Sequence, residues 1–292
     1  MGCSCSSHKK PAKKDSTKKI SNKINYHTIN SAVVAKNKYA SFPLVDSLKK
    51  LFTISDTMQH VYGNDDPVSD LTQKIAATLG AILSNPQITK QNIDSLLKCQ
   101  DLGIVHSDDK KLWIFNWYEN TGGSYRSNVS IIYCITPSGK RCIAHDDSDN
   151  GGGTGENRFV ANGAWYNNIY KLSSQNDDLY LCTGSGVGCN TCVYATATVI
   201  QLTKDSANFS YPAFISDELD NSGEEKHQPY FLLGTRGDDI KDFHFDDKKQ
   251  TLHFTYLTDD SSPIKKEENE KSKKIARKLI FNGKIFIGNG YE

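Results

Sequence analysis

The spacing of apolar residues changes once along this chain, over residues 103–123, and that change restricts the fold more than any motif. Before it, Leu44, Val45, Leu48, Leu51 and Phe52 recur at helical spacing, as do Leu71, Ile75, Leu79, Ile82 and Leu83. After it, apolar and polar residues alternate in short runs bounded by Gly, Asn and Asp, the pattern of half-buried strands. No strand–helix alternation follows, so a parallel sheet is not expected. The expected class is α+β, with N-terminal helices packed on a mainly antiparallel β-sandwich or barrel-like domain.

Local signals refine this. Pro43 opens a first helix, and Asn64-Asp65-Asp66-Pro67 stops it and restarts a second, capped by Asp66 or Ser69. Asn85-Pro86 ends the second helix, and a short third carries Ile93, Leu96 and Leu97. Strands are expected at 111–118, 128–136, 141–145, 168–172, 179–183, 192–202, 230–235, 240–245, 251–258 and 277–287. In the 192–202 run, Ile200 and Leu202 share one face and Ala197 and Val199 the other, so a central strand with both faces covered is expected. Pro137-Ser138-Gly139-Lys140, 246–250 and Asn282-Gly283 read as hairpin turns. Three segments result: a basic tether over 1–25, a helical front over 26–102 and a β domain over 103–290. The last two are expected to form one structural unit.

Composition bounds the partners. Net charge is +1, but residues 1–23 hold seven lysines against one aspartate, so the leader is basic and the body mildly acidic. That split suits a tail lying near anionic head groups or cell-wall anions better than a nucleic-acid module. The start, Met1-Gly2-Cys3-Ser4-Cys5-Ser6, admits two lipid readings. Gly2 and Ser6 fit N-myristoylation, with Cys3 and Cys5 available for palmitate. Alternatively Gly2-Cys3 is the end of a bacterial lipobox whose signal peptide is absent here, making Cys3 the lipid attachment point. A third reading is a free end carrying two thiols. No run of apolar residues is long enough to span a membrane as a helix.

The segment Ser107-Asp108-Asp109-Lys110-Lys111-Leu112, followed by Asn116-Trp117 and Thr121-Gly122-Gly123, resembles one shared by uncharacterised exported bacterial lipoproteins. In those, helices precede a Ser-Asp-Asp turn, a Trp-bearing strand and a Gly-Gly turn. The Phe243 to Phe254 hairpin pattern is similar too. The resemblance implies an exported, lipidated protein in the cell envelope. The family has no assigned activity, so no functional residue carries over.

Candidate chemistry is sparse. Cys182, Cys189 and Cys192 lie within eleven positions. Cys134, Cys142 or His145 could supply the fourth ligand of a zinc site, but a second Cys-x-x-Cys at matching spacing is missing. Disulfides are the favoured expectation in an exported chain. A hairpin centred near Val187 would set Cys182 opposite Cys192, and a reversal about Ser138 would set Cys134 near Cys142. Cys99 reads as a small buried hydrophobe. Gly184-Ser185-Gly186-Val187-Gly188 lacks the Lys-Ser/Thr of a phosphate loop and reads as a hairpin loop. Asp146, Ser148 and Asn150 are weak calcium candidates, since Asn157 stands where an EF-hand needs glutamate. His244 and His253 are expected to face each other across a hairpin. Trp113, Trp117, Trp165, Tyr166, Tyr170 and Tyr194 either fill a core or line a face for a sugar or peptide. No cofactor is expected. The favoured role is a non-catalytic binding or surface-contact module with an unknown protein or glycan ligand. The alternative is an exported hydrolase built around His145 and the acidic loop 146–157.

Overall fold

The computed structural model describes residues 41–59, 65–90, 92–119, 127–146, 158–159, 163–189, 192–219, 225–236, 240–258 and 273–288. Two long helices, α1 (Ser41–Gln59) and α2 (Asp65–Ser84), and a single turn α3 (Ile93–Leu96) precede the strands. The strands run β1 (Gly103–His106), β2 (Leu112–Glu119), β3 (Ser127–Ile135), β4 (Arg141–Asp146), β5 (Arg158–Phe159), β6 (Trp165–Lys171), β7 (Asp178–Cys189) and β8 (Cys192–Leu202). Then come β9 (Ala207–Asn208), β10 (Phe214–Leu219), β11 (Glu225–Gln228), β12 (Tyr230–Arg236), β13 (Ile240–Asp246), β14 (Thr251–Thr258), β15 (Lys273–Phe281) and β16 (Phe286–Ile287).

These strands form three sheets. Sheet A has the order β1-β2-β3-β4-β5; sheet B is β12-β8-β7-β6, with β9 on β8; sheet C is β11-β10-β16-β15-β14-β13. Pairing is antiparallel except for β4 with β5 and β10 with β16. About half of the described residues, 51%, are strand, and the sheets are not closed, so the barrel-like alternative does not hold.

Alternation along the strands distributes three apolar cores. Leu48, Phe52, Ile75, Leu79 and Ile82 from the helices pack with Trp113, Phe115, Trp117, Ile131 and Tyr133 on one face of sheet A. The opposite face of sheet A gives Leu112, Ile114, Ile132, Cys134 and Ala144, which meet Tyr180, Cys182, Ile200 and Leu202 of sheet B. The other face of sheet B gives Leu179, Leu181, Ala197, Val199 and Phe231, which meet Phe245, Leu252, Phe254 and Phe281 of sheet C. The expected two-sided burial of β8 therefore holds, and the helices share a core with the β region. Residues 38–292 form one compact unit.

Arg141 ties the helices to sheet A. Its guanidinium donates to the carbonyls of Leu83, Asn85, Pro86 and Ile88 at 3.2, 2.6, 3.1 and 2.7 Å. The last carbonyls of a helix have no partner within the helix, so this cation satisfies the end of α2 and complements its dipole.

Two turns match their sequence signals. Gly139 has φ 84° and its N–H donates to Thr136 O, closing the β3–β4 hairpin. The β1–β2 turn closes by Lys110 N–H to Ser107 O, with Ser107 Oγ donating to Asp109 Oδ1 at 2.8 Å. The Ser-Asp-Asp motif thus builds a turn.

The β7–β8 hairpin departs from expectation. Its strands remain paired as far as Cys189 and Cys192, so the hairpin is not centred near Val187. Cys182 consequently faces Thr198, not Cys192. The glycine run read as a loop is strand. A Cβ at Gly184 would strike the backbone of Trp165, and one at Gly186 would strike the ring of Tyr194. The glycines let neighbouring groups approach a strand that ordinary β-propensity would not place there.

A candidate binding pocket at the open end of a two-sheet seam

The seam between sheets A and B is fastened in its middle by a buried amide. Asn116 Nδ2 donates to Tyr166 O at 3.1 Å, and Asn116 Oδ1 accepts from Tyr166 N–H at 3.1 Å. The side chain thereby acts as an extra strand residue for β6. Ser130 Oγ adds a 2.9 Å bond to Asn116 Oδ1 and a 3.3 Å bond to Ala164 O. Asn128 Nδ2 donates to Gly163 O at 2.6 Å.

One end of the seam is closed by charge. Lys111 Nζ meets Asp178 Oδ2 at 2.8 Å, and Lys171 Nζ meets Asp178 Oδ1 at 2.9 Å and Asp109 Oδ2 at 3.5 Å. Tyr180 Oη donates to Asp109 Oδ2 at 2.7 Å. Burial works to raise the Asp178 carboxyl, but Lys111 and Lys171 outweigh it and hold it below the usual range. Burial is likewise outweighed at Asp109 by the bonds from Tyr180 and Ser107 and the charge of Lys171. Burial, then the hydrogen bond to Asp109, push the Tyr180 phenol upward.

The other end is open and neutral. Tyr118, Asn128, Trp165, Asn167, Ser185, Gly186, Val187 and Val193 surround a cavity of about 300 Å³. Tyr118 and Trp165 stack at 4.7 Å between centroids, 28° from parallel. The Trp165 indole lies against the Gly103 backbone, where a Cβ would overlap the ring. Tyr118 remains 42% exposed. The buried Asn128 Oδ1 has no hydrogen-bond partner among the described residues. No carboxylate, histidine, lysine or arginine lines the cavity among the described residues. Such a surface offers aromatic contact and neutral hydrogen bonding.

The other sequence candidates fall elsewhere. Trp113, Trp117 and Tyr166 are buried, and Tyr170 packs on Phe245 at 5.1 Å, so these aromatics serve cores. Trp165 alone of that set lines the cavity; Tyr194 lies beside it, over Gly186. Its companion Tyr118 closes an apolar run, and nothing local set it apart from core. His244 and His253 are directly paired on β13 and β14, with rings stacked at 5.0 Å. They stand on sheet C, away from the cavity lining. Cys134 and Cys142 are directly opposed on β3 and β4, as expected. Both are free thiols in the structure, as are Cys99 and Cys182. Burial pushes the Cys99 thiol up to about 11, in keeping with an inert role. Among the described residues no group of three or more His, Cys, Asp or Glu is arranged to hold a metal. Cys3, Ser148 and Asn150 lie outside the described residues, as do the side chains of His145, Asp146, Cys189 and Cys192. No family model, curated protein or solved structure matches the chain.

Proposed function

We propose that this chain is a non-catalytic binding module held at a bacterial envelope by a lipid on its N-terminus. The open-end pocket is its binding site, and a neutral glycan is its ligand. The observation that carries the binding reading is the pocket lining: two aromatic rings, two amides and a hydroxyl around one cavity. A sugar ring matches that lining, since it offers apolar C–H faces to Tyr118 and Trp165 and hydroxyls to Asn167 and Ser185. The envelope assignment rests on different ground: the Gly2-Cys3 start, the lysine-rich leader and the resemblance to exported lipoproteins. A mature chain lipidated on Cys3 would need no spanning helix, and no helix among the described residues is long and apolar enough to cross a membrane. For the fold, we propose a stacked sandwich of three sheets roofed by the helices.

The deciding experiment is titration of the full chain with neutral and anionic oligosaccharides, followed by tryptophan fluorescence. Binding of neutral sugars that persists in high salt and weakens tenfold or more in Trp165→Ala, with the sugar recovered intact, is expected. Salt-sensitive binding of anionic sugars alone, or recovery of cleaved sugar, overturns the reading. Intact mass of protein from its native host tests the anchor separately, through an acyl increment on Cys3.

A further inference from the structure

We propose that Cys134 and Cys142 are a redox-active dithiol that closes into a cross-strand disulfide by exchange with a small organic disulfide. The inference is independent of the sugar-binding reading.

Three observations carry it. The two residues are direct partners across β3 and β4, so their side chains leave the sheet on the same face. Antiparallel partners sit about 4.5 to 5.5 Å apart at Cα, within the range a disulfide spans. The turn that joins them, Thr136 to Gly139, is closed by Gly139 N–H to Thr136 O and docked by Ser138 N–H on Lys204 O. The two cysteines are therefore held in register by a hairpin that is itself held.

Their environments divide the work. Cys134 is fully buried and Cys142 half-buried, so an oxidant reaches Cys142 first. A hydrogen bond from the Cys134 thiol favours the Cys142 thiolate, aided by Lys140 and the Ala207 N–H, against the cost of burial. The same hydrogen bond, with burial, pushes Cys134 upward, so it keeps its proton until called on. Cys182, in the same core, is fully buried and raised by burial alone. It serves as an internal inert control.

The chemistry balances. Cys142 thiolate attacks one sulfur of the organic disulfide, forming a mixed disulfide and releasing one thiolate. That thiolate takes the Cys134 proton. Cys134 sulfur then attacks the Cys142 sulfur and expels the second thiolate, which takes a proton from solvent. Two protein thiols lose two electrons, and one organic disulfide becomes two thiols.

The test exposes the reduced full chain to oxidised glutathione at neutral pH, then alkylates, digests and maps the peptides. Mapping separates this pair from the other six of the eight cysteines. The expected product is a Cys134–Cys142 linked peptide, with Cys182 still alkylatable after denaturation. Cys134→Ser should stop at a lasting mixed disulfide on Cys142, and Cys142→Ser should leave Cys134 unmodified. Circular dichroism confirms that both variants fold, and the wild-type map stands without them. A lasting mixed disulfide on wild-type Cys142, a bridge from Cys134 to any other cysteine, or both thiols untouched overturns the proposal.

Discussion

The two ends of the seam between sheets A and B use the same strands for opposite purposes. At the end where the β1–β2 turn meets β6 and β7, four charged groups and a phenol lock together. At the end where β2 stops and β6 begins, the walls are aromatic and amide, and a cavity remains. Charge at the first end satisfies charge, so little is left to act on a ligand. At the second end an aromatic pair is propped by Gly103 and only partly covered. The difference teaches that the ionisable residues of this seam serve to shut one end of it, while the described residues that line the cavity at the other end carry no charge.

Asn116 joins the two ends, and its loss should have the largest effect. Asn116→Leu removes the side chain that pairs with the Tyr166 N–H and C=O in a buried site. It should cost about 3 to 5 kcal/mol in urea unfolding. A cost near zero would mean that the seam is held by apolar contact alone. Tyr180→Phe removes one hydrogen bond to a carboxylate at the closed end, and should cost about 1.5 to 2 kcal/mol by the same measurement.

Acid should distinguish the ends next. Asp109 and Asp178 have folded pKa values below their unfolded ones. Their stabilisation is therefore complete above the unfolded carboxylate range, about 4, and is lost as pH falls through it toward the folded values. Asp178→Asn should lose stability less steeply than wild type below about pH 5 in an acid titration followed by circular dichroism. Parallel curves would remove the ionic account of the closed end. Smallest is Ser185→Ala at the open end, expected to change stability by under about 0.5 kcal/mol while weakening sugar affinity. Equal affinity in that variant would move the ligand away from Ser185.

Features set by short-range chemistry were readable in the sequence. The two-sided apolar pattern of β8, the Gly139 turn that opposes Cys134 to Cys142, and the pairing of His244 with His253 all follow from period and turn composition. Strands β9, β10 and β11 were not readable. β9 is two residues long, and β10 includes Phe214, whose burial depends on a parallel pairing with distant Phe286. Membership of a sheet is equally nonlocal: nothing near Lys111 announces Asp178. The glycine run in β7 misled because its logic lies on neighbouring strands, in the Trp165 backbone and the Tyr194 ring. Of the pocket, Trp165 was visible as a candidate. Tyr118 differs from Trp117 before it only by the end of the strand.

The grip of Arg141 on four carbonyls has a practical corollary for anyone trimming this protein. Cutting the chain just ahead of Gly103 would leave a guanidinium with no acceptors beside a bare surface of Trp113, Phe115 and Trp117. The shortened product should clump or be degraded rather than report on the remaining strands. The helices are better regarded as the keystone of the first sheet than as a detachable cap.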